Sequence, residues 1–86
     1  MYKILLEKKV IKLLSRLNAK SYRIISDSIK ELAYFREMKN LDIKHLKGKY
    51  DNMFRLRIGS RRVLFTIDEK AKQIKVWLID NRGDIY

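Results

Sequence analysis

The chain changes its hydrophobic period twice, and each change marks a new kind of element. Tyr2 to Leu6 is a short apolar run with a β-branched residue, which predicts a first strand. From Lys8 onward Val10, Ile11, Leu14 and Leu17 recur on one helical face, with Leu13 beside them. Lys9, Lys12 and Arg16 fall elsewhere, so the segment reads as an amphipathic helix. Asn18, which tolerates the left-handed conformation, is a candidate end for it. Ser21 is a candidate N-cap for a second helix, in which Tyr22, Ile25, Ile29 and Leu32 lie three, four and three residues apart. That helix is expected to reach about Phe35. The few residues between the two helices predict a helical hairpin, whose apolar stripe is core or takes a partner helix along part of its length.

Past a charged connection over residues 39–52, period two takes over. Phe54, Leu56 and Ile58 alternate with Arg55 and Arg57. Gly59-Ser60 is a two-residue hairpin loop, because Gly supplies a positive φ without a steric cost. Arg61 to Asp68 is the return strand, Glu69 to Lys72 a further turn, and Gln73 to Ile79 a third strand. This last strand is apolar on both faces, which places it centrally in the sheet. The order β-α-α-β-β-β predicts an α+β fold, with the helical hairpin packed on one face of a small antiparallel sheet. The chain has no Pro, and no linker or repeat divides it, so its 86 residues are read as one domain, 1–86.

Charge sharpens this picture. Lys and Arg number 21 against 10 Asp and Glu, a formal net charge of +11, which favours polyanionic partners. Between residues 44 and 62 lie Lys44, Lys47, Lys49, Arg55, Arg57, Arg61 and Arg62, opposed only by Asp51. Arg55 and Arg57 share one strand face, about 7 Å apart by strand rise. Arg62 lies across the hairpin and can join them. A one-signed cluster of guanidinium groups is self-repelling. Phosphate relieves it by bidentate pairing, whereas a purely structural account treats the arginines as the charged edge of a hairpin. The absence of cysteine excludes disulfides and thiolate metal sites and suits a reducing compartment. The beginning of the chain has no apolar run long enough for a signal peptide or membrane span, so a cytoplasmic location is expected and no membrane partner. Arg82 and Tyr86 follow the last strand. Tyr86 is either a packing residue or a ring that stacks on a base beside the cations.

Four short motifs in order, Leu46-Lys-Gly48, Phe54-Arg-Leu-Arg-Ile-Gly59, Arg61-Arg-Val-Leu-Phe65 and Asn81-Arg-Gly-Asp-Ile-Tyr86, resemble the RelE branch of the RelE/ParE toxin superfamily. The resemblance covers nearly the whole chain. It implies the toxin of a type II toxin–antitoxin system, a ribosome-dependent endoribonuclease that cuts translated mRNA in the A site. It also implies a RelB-like antitoxin partner, through which the complex would bind operator DNA. The implied catalytic residues are Arg55, Arg57, Arg62, Arg82 and Tyr86. Lys44, Lys47, Lys49 and Arg61 are expected to hold RNA or the ribosome.

The expected chemistry is attack of a ribose 2′-hydroxyl on the adjacent phosphate to give a 2′,3′-cyclic product, with no metal and no cofactor. His45, the single histidine, lies upstream of the motif and reads more simply as a solvated loop residue. The site must then rest on fixed positive charge and positioning. The sequence departs from relatives that carry Lys in the basic strand, because an Arg cannot act as a base. Lys47, Lys49, Tyr86 or a ribosomal group is left for that role. Two alternatives remain open at this level: a non-catalytic ParE-like inhibitor of DNA gyrase, and a basic RNA-binding module.

Overall fold

In the computed structural model, which describes residues 1–46 and 52–80, the chain runs β1 (Lys3–Leu6), α1 (Lys8–Ser15), α2 (Ala19–Glu31), a 3₁₀ turn (Leu32–Tyr34), β2 (Ile43–His45), β3 (Phe54–Ile58), β4 (Arg61–Asp68) and β5 (Gln73–Asp80). The strands form one sheet in the order β1-β5-β4-β3-β2. The α+β class is as expected from the sequence. Three details differ. The sheet is mixed rather than antiparallel, because β1 pairs with β5 in parallel, Ile4 beside Ile74 and Leu6 beside Val76. Tight turns force β3, β4 and β5 to alternate in direction. β1 reaches the sheet through a long connection and is free of that constraint.

The second difference is a strand, β2, inside the predicted connection. Three residues are too few for alternation to declare itself. The third concerns the helix junction. Asn18 does not end α1; its side chain accepts from the Ser21 backbone N–H at 2.8 Å and caps α2. The second helix does run on towards Phe35, tightening into the 3₁₀ turn. No helix among the described residues is long and apolar enough to cross a membrane.

Both helices contribute to the same core. Val10 and Leu14 from α1, and Ile25, Ile29 and Leu32 from α2 and the turn after it, pack with Leu56, Val63, Phe65, Ile74, Val76 and Ile79 from the sheet. Val63 and Phe65, on the middle strand, are 0% exposed. Ile11 and Tyr22, expected on the apolar stripe, are instead exposed, as is Ile24. They sit at the rim of a stripe that only its centre buries.

The far end of the sheet is clasped by polar groups. Tyr2 O–H donates to Glu69 Oε1 at 2.6 Å, and Arg36 Nε donates to the Tyr2 oxygen at 2.9 Å. Arg36 Nη2 also pairs with Glu69 Oε2. This ties the chain start, the segment after the helices and the β4–β5 turn together. The hydrogen bond from Tyr2, then that from Arg36, holds the Glu69 carboxyl below its usual 4.5. Because the folded value is depressed, the clasp contributes stability above pH 4.5 and loses it as pH falls through the folded value. The stability gap between wild type and Glu69→Gln, measured by urea titration across pH 3 to 7, is therefore expected to close on the acid side. In the same assay Phe65→Ala is expected to cost about 3–5 kcal/mol, a large part of the stability of a small domain.

Candidate RNA-binding face and its arginine rows

Period two sends the sheet's residues to two faces. Phe54, Leu56 and Ile58 of β3 point towards the helices, so Arg55 and Arg57 point away. Register then builds two rows across the face opposite the helices. In one, Lys44 of β2 lies opposite Arg55, Arg55 opposite Leu64, and Leu64 opposite Leu78. In the other, Arg57 lies opposite Arg62, and Arg62 opposite Asp80. The hairpin loop closes beside the second row, with Gly59 at φ +61°. That is the type II′ pattern, with Gly in the first central position.

The members of these rows have different environments. Arg57 is exposed and meets another arginine directly across the strand pair. Like charges in that position repel. Arg62 is half-buried, flanked by Arg57 on one side and Asp80 on the other. Arg55 is only 8% exposed. Its Nη1 lies 3.5 Å from Asp42 Oδ1, an ion pair without hydrogen-bond alignment. Asp42 also accepts the Arg57 backbone N–H on its carbonyl at 3.0 Å. Asp42 thus holds the edge of the sheet and the buried arginine together.

The structure separates residues that sequence reasoning grouped. Arg57 and Arg62 are brought side by side, with Arg55 and Lys44 in the neighbouring row. Arg61 is not with them. It lies opposite Ile58, on the helix side, near Ser21, Ile24 and Ile25. His45 is also on that side, stacked on Phe54 with ring centroids 4.8 Å apart. Lys47, Lys49, Arg82 and Tyr86 lie outside the described residues. Sequence reasoning missed Asp42 and Asp80. Neither has a spacing signal, since each meets its arginine only through strand register.

Comparisons with known proteins bear on this arrangement. No family model matches the sequence, and no curated protein matches it. Solved structures do. The RelE–RelB complex of the archaeon Pyrococcus horikoshii is similar at a TM-score of 0.79 and 29% identity, over 96% of this chain and 97% of that one. The RelB–RelE antitoxin–toxin complex of Methanococcus jannaschii is similar at 0.71 and 26%, over 95% and 94%. The isolated Escherichia coli RelE toxin shares the fold at 0.74 with 9% identity, over 96% and 86%. The five-stranded sheet with two helices on one face is thus the architecture of a small bacterial and archaeal toxin class. Within that class the chain has the RelE-type toxin fold.

Because the Arg55 charge is buried and Asp42 is its acidic neighbour, Asp42→Ala is expected to destabilise the protein by about 1–2 kcal/mol. That is less than the loss for a fully buried pair, since Asp42 itself is exposed. Thermal unfolding of Asp42→Ala and Asp42→Asn checks this, with both variants expected to lose stability.

Proposed function

We propose that this protein is the toxin of a type II toxin–antitoxin system and that it cuts translated mRNA in the ribosomal A site. The observation that carries the reading is the placement of Arg57 directly opposite Arg62 on the face of a RelE-type sheet away from the helices. Their Cα positions are direct cross-strand neighbours, so a phosphodiester laid over the pair can take a bidentate contact from each guanidinium.

Cleavage by internal attack suits this arrangement. The ribose 2′-oxygen forms a bond to the adjacent phosphorus, and the bond to the 5′-oxygen of the next nucleotide breaks. The products are a 2′,3′-cyclic phosphate and a free 5′-hydroxyl. Arg57 and Arg62 stabilise the additional charge of the phosphorane, where fixed donors act most strongly. Arg55, buried behind them, adds positive potential and positions the strand rather than touching RNA. Arg82 is assigned to neutralising charge on the leaving 5′-oxygen, which takes its proton from Tyr86 or water, and Tyr86 to base stacking or this proton transfer, both from the family resemblance. The proton from the 2′-hydroxyl goes to Lys47, Lys49, Tyr86 or a ribosomal group, since no arginine accepts it. Lys44 and the basic loop hold the message and the ribosome, and the work is done in the cytoplasm.

A RelB-like antitoxin is the proposed protein partner. The groove lined by Ile4, Leu6, Leu14, Tyr22 and Ile29, between β1 and the two helices, suits an apolar helix face. Operator DNA would be bound through the antitoxin.

Purified ribosomes programmed with a defined mRNA, with cleavage mapped by primer extension, test the reading. Arg57→Ala and Arg62→Ala are each expected to lower cleavage by about 10²–10³-fold, the usual loss for one transition-state donor. Arg57→Ala is expected to leave stability unchanged or raise it by a few tenths of a kcal/mol, because it removes a like-charge pair. Intact messages in the presence of the wild-type protein would refute the nuclease. Inhibited supercoiling in a parallel gyrase assay would then favour the ParE-like alternative.

A further inference from the structure

The chain's single tryptophan, Trp77, lies on the same face as the arginine rows, opposite the helices, and nothing in the cleavage chemistry uses it. It is 36% exposed. A ring of this size gains from burial, so leaving part of it exposed forgoes stability unless the ring has a partner. Its presence there follows from a register shift. Leu64 pairs with Leu78 but the next residue, Phe65, pairs with Val76, so Trp77 is the extra residue of a β-bulge. The bulge turns Trp77 onto the face that carries Lys75 and Thr66.

The ring is also held in place. Its Nε1 donates to Thr66 Oγ1 at 2.9 Å. Lys75 Nζ lies 4.1 Å from the ring centroid and is itself held by Glu7 at 3.4 Å. A ring fixed in this way loses little entropy on receiving a partner. Its only donor is already engaged and Lys75 sits over one face of the ring, so what it offers is the rest of its exposed π-surface, next to a cation.

We infer that Trp77 is a stacking platform for an unpaired base of single-stranded RNA, and that Lys75 draws the neighbouring phosphate. The polymer named rests on the ribonuclease reading above; the stacking geometry does not. Arg55 lies opposite Leu64 and Leu64 opposite Leu78, so Trp77 is about 10 Å, two strand spacings, from Arg55, and it precedes Asp80, the neighbour of Arg62, by about 10 Å of strand. The platform would therefore grip RNA outside the scissile bond. With no free hydrogen-bonding edge it would accept any base. The face opposite the helices carries Lys44, Arg55, Arg57, Arg62 and Lys75 against Glu7, Asp42 and Asp80, an excess of positive charge that favours a phosphate polymer over a protein surface.

A lone tryptophan makes the test direct. A short 2′-O-methyl oligoadenylate, which cannot be cut by 2′-hydroxyl attack, is titrated into the full-length protein while tryptophan fluorescence is followed. Saturable quenching is expected. Inorganic polyphosphate, which has charge but no bases, is expected to bind without that quenching. With a fluorescently labelled oligonucleotide read by anisotropy, Trp77→Phe should bind within about threefold of wild type. Trp77→Ala should bind about 5- to 150-fold more weakly, the range for loss of one base–aromatic stack. Binding without quenching, equal quenching by polyphosphate, or equal affinities of the Phe and Ala variants would each overturn the inference. Quenching by an acidic amphipathic peptide but not by the oligonucleotide would also overturn it and make this a protein-docking face. If quenching holds while ribosomal cleavage fails, the ribonuclease reading falls and the stacking site stands. If cleavage holds and quenching fails, the stacking site alone falls.

Discussion

Everything on the sheet face away from the helices depends on how β4 is held. It is the middle strand, paired antiparallel on both sides, and it buries Val63 and Phe65 completely against the helices. Period two then leaves no choice for its other residues: Arg62, Leu64 and Thr66 must face away. The ladders to β3 and β5 carry that decision sideways, setting Arg57 and Asp80 on either side of Arg62 and Arg55 beside Leu64. A slip of one residue would carry the arginines into the core, so hydrophobic burial is what aims the charges.

Aiming them has a cost. The protein sets two arginines at directly paired positions and buries most of a third beside one exposed carboxylate. Neither arrangement favours folding by itself. The compensation lies elsewhere, in the apolar core and in the Tyr2–Arg36–Glu69 clasp at the other end of the sheet. Stability and the proposed chemistry are thus divided between the two ends and the two faces of the sheet. In the proposed function, a phosphate polymer supplies the opposite charge to this face.

Much of this was legible along the chain. Alternation over residues 54–58 and 61–68 is long enough to show both the strands and their inward faces, and Gly59-Ser60 shows how they are joined. The pairing of Arg57 with Arg62 follows from a two-residue loop alone, because such a loop sets the register. Short-range patterns were poorer guides where two neighbouring residues compete for one role. Asn18 and Ser21 are both good capping residues, and only the path of the backbone between the helices selected Asn18. The apolar stripes likewise showed which residues could be buried but not how wide a strip the sheet would cover, which is why Ile11 and Tyr22 remain outside.

By itself the sequence determined the α+β class, the strand faces and the one-signed charge of the hairpin, because each rests on spacings of a few residues. Tertiary structure alone decided what depends on distant segments meeting. It made β1 parallel to β5, created β2 as a partner for β3, and brought Asp42 to Arg55 and Asp80 to Arg62. It also placed the bulge that leaves Trp77 on the arginines' face. Register between strands far apart in the chain is a property of the packed sheet, and no local pattern encodes it.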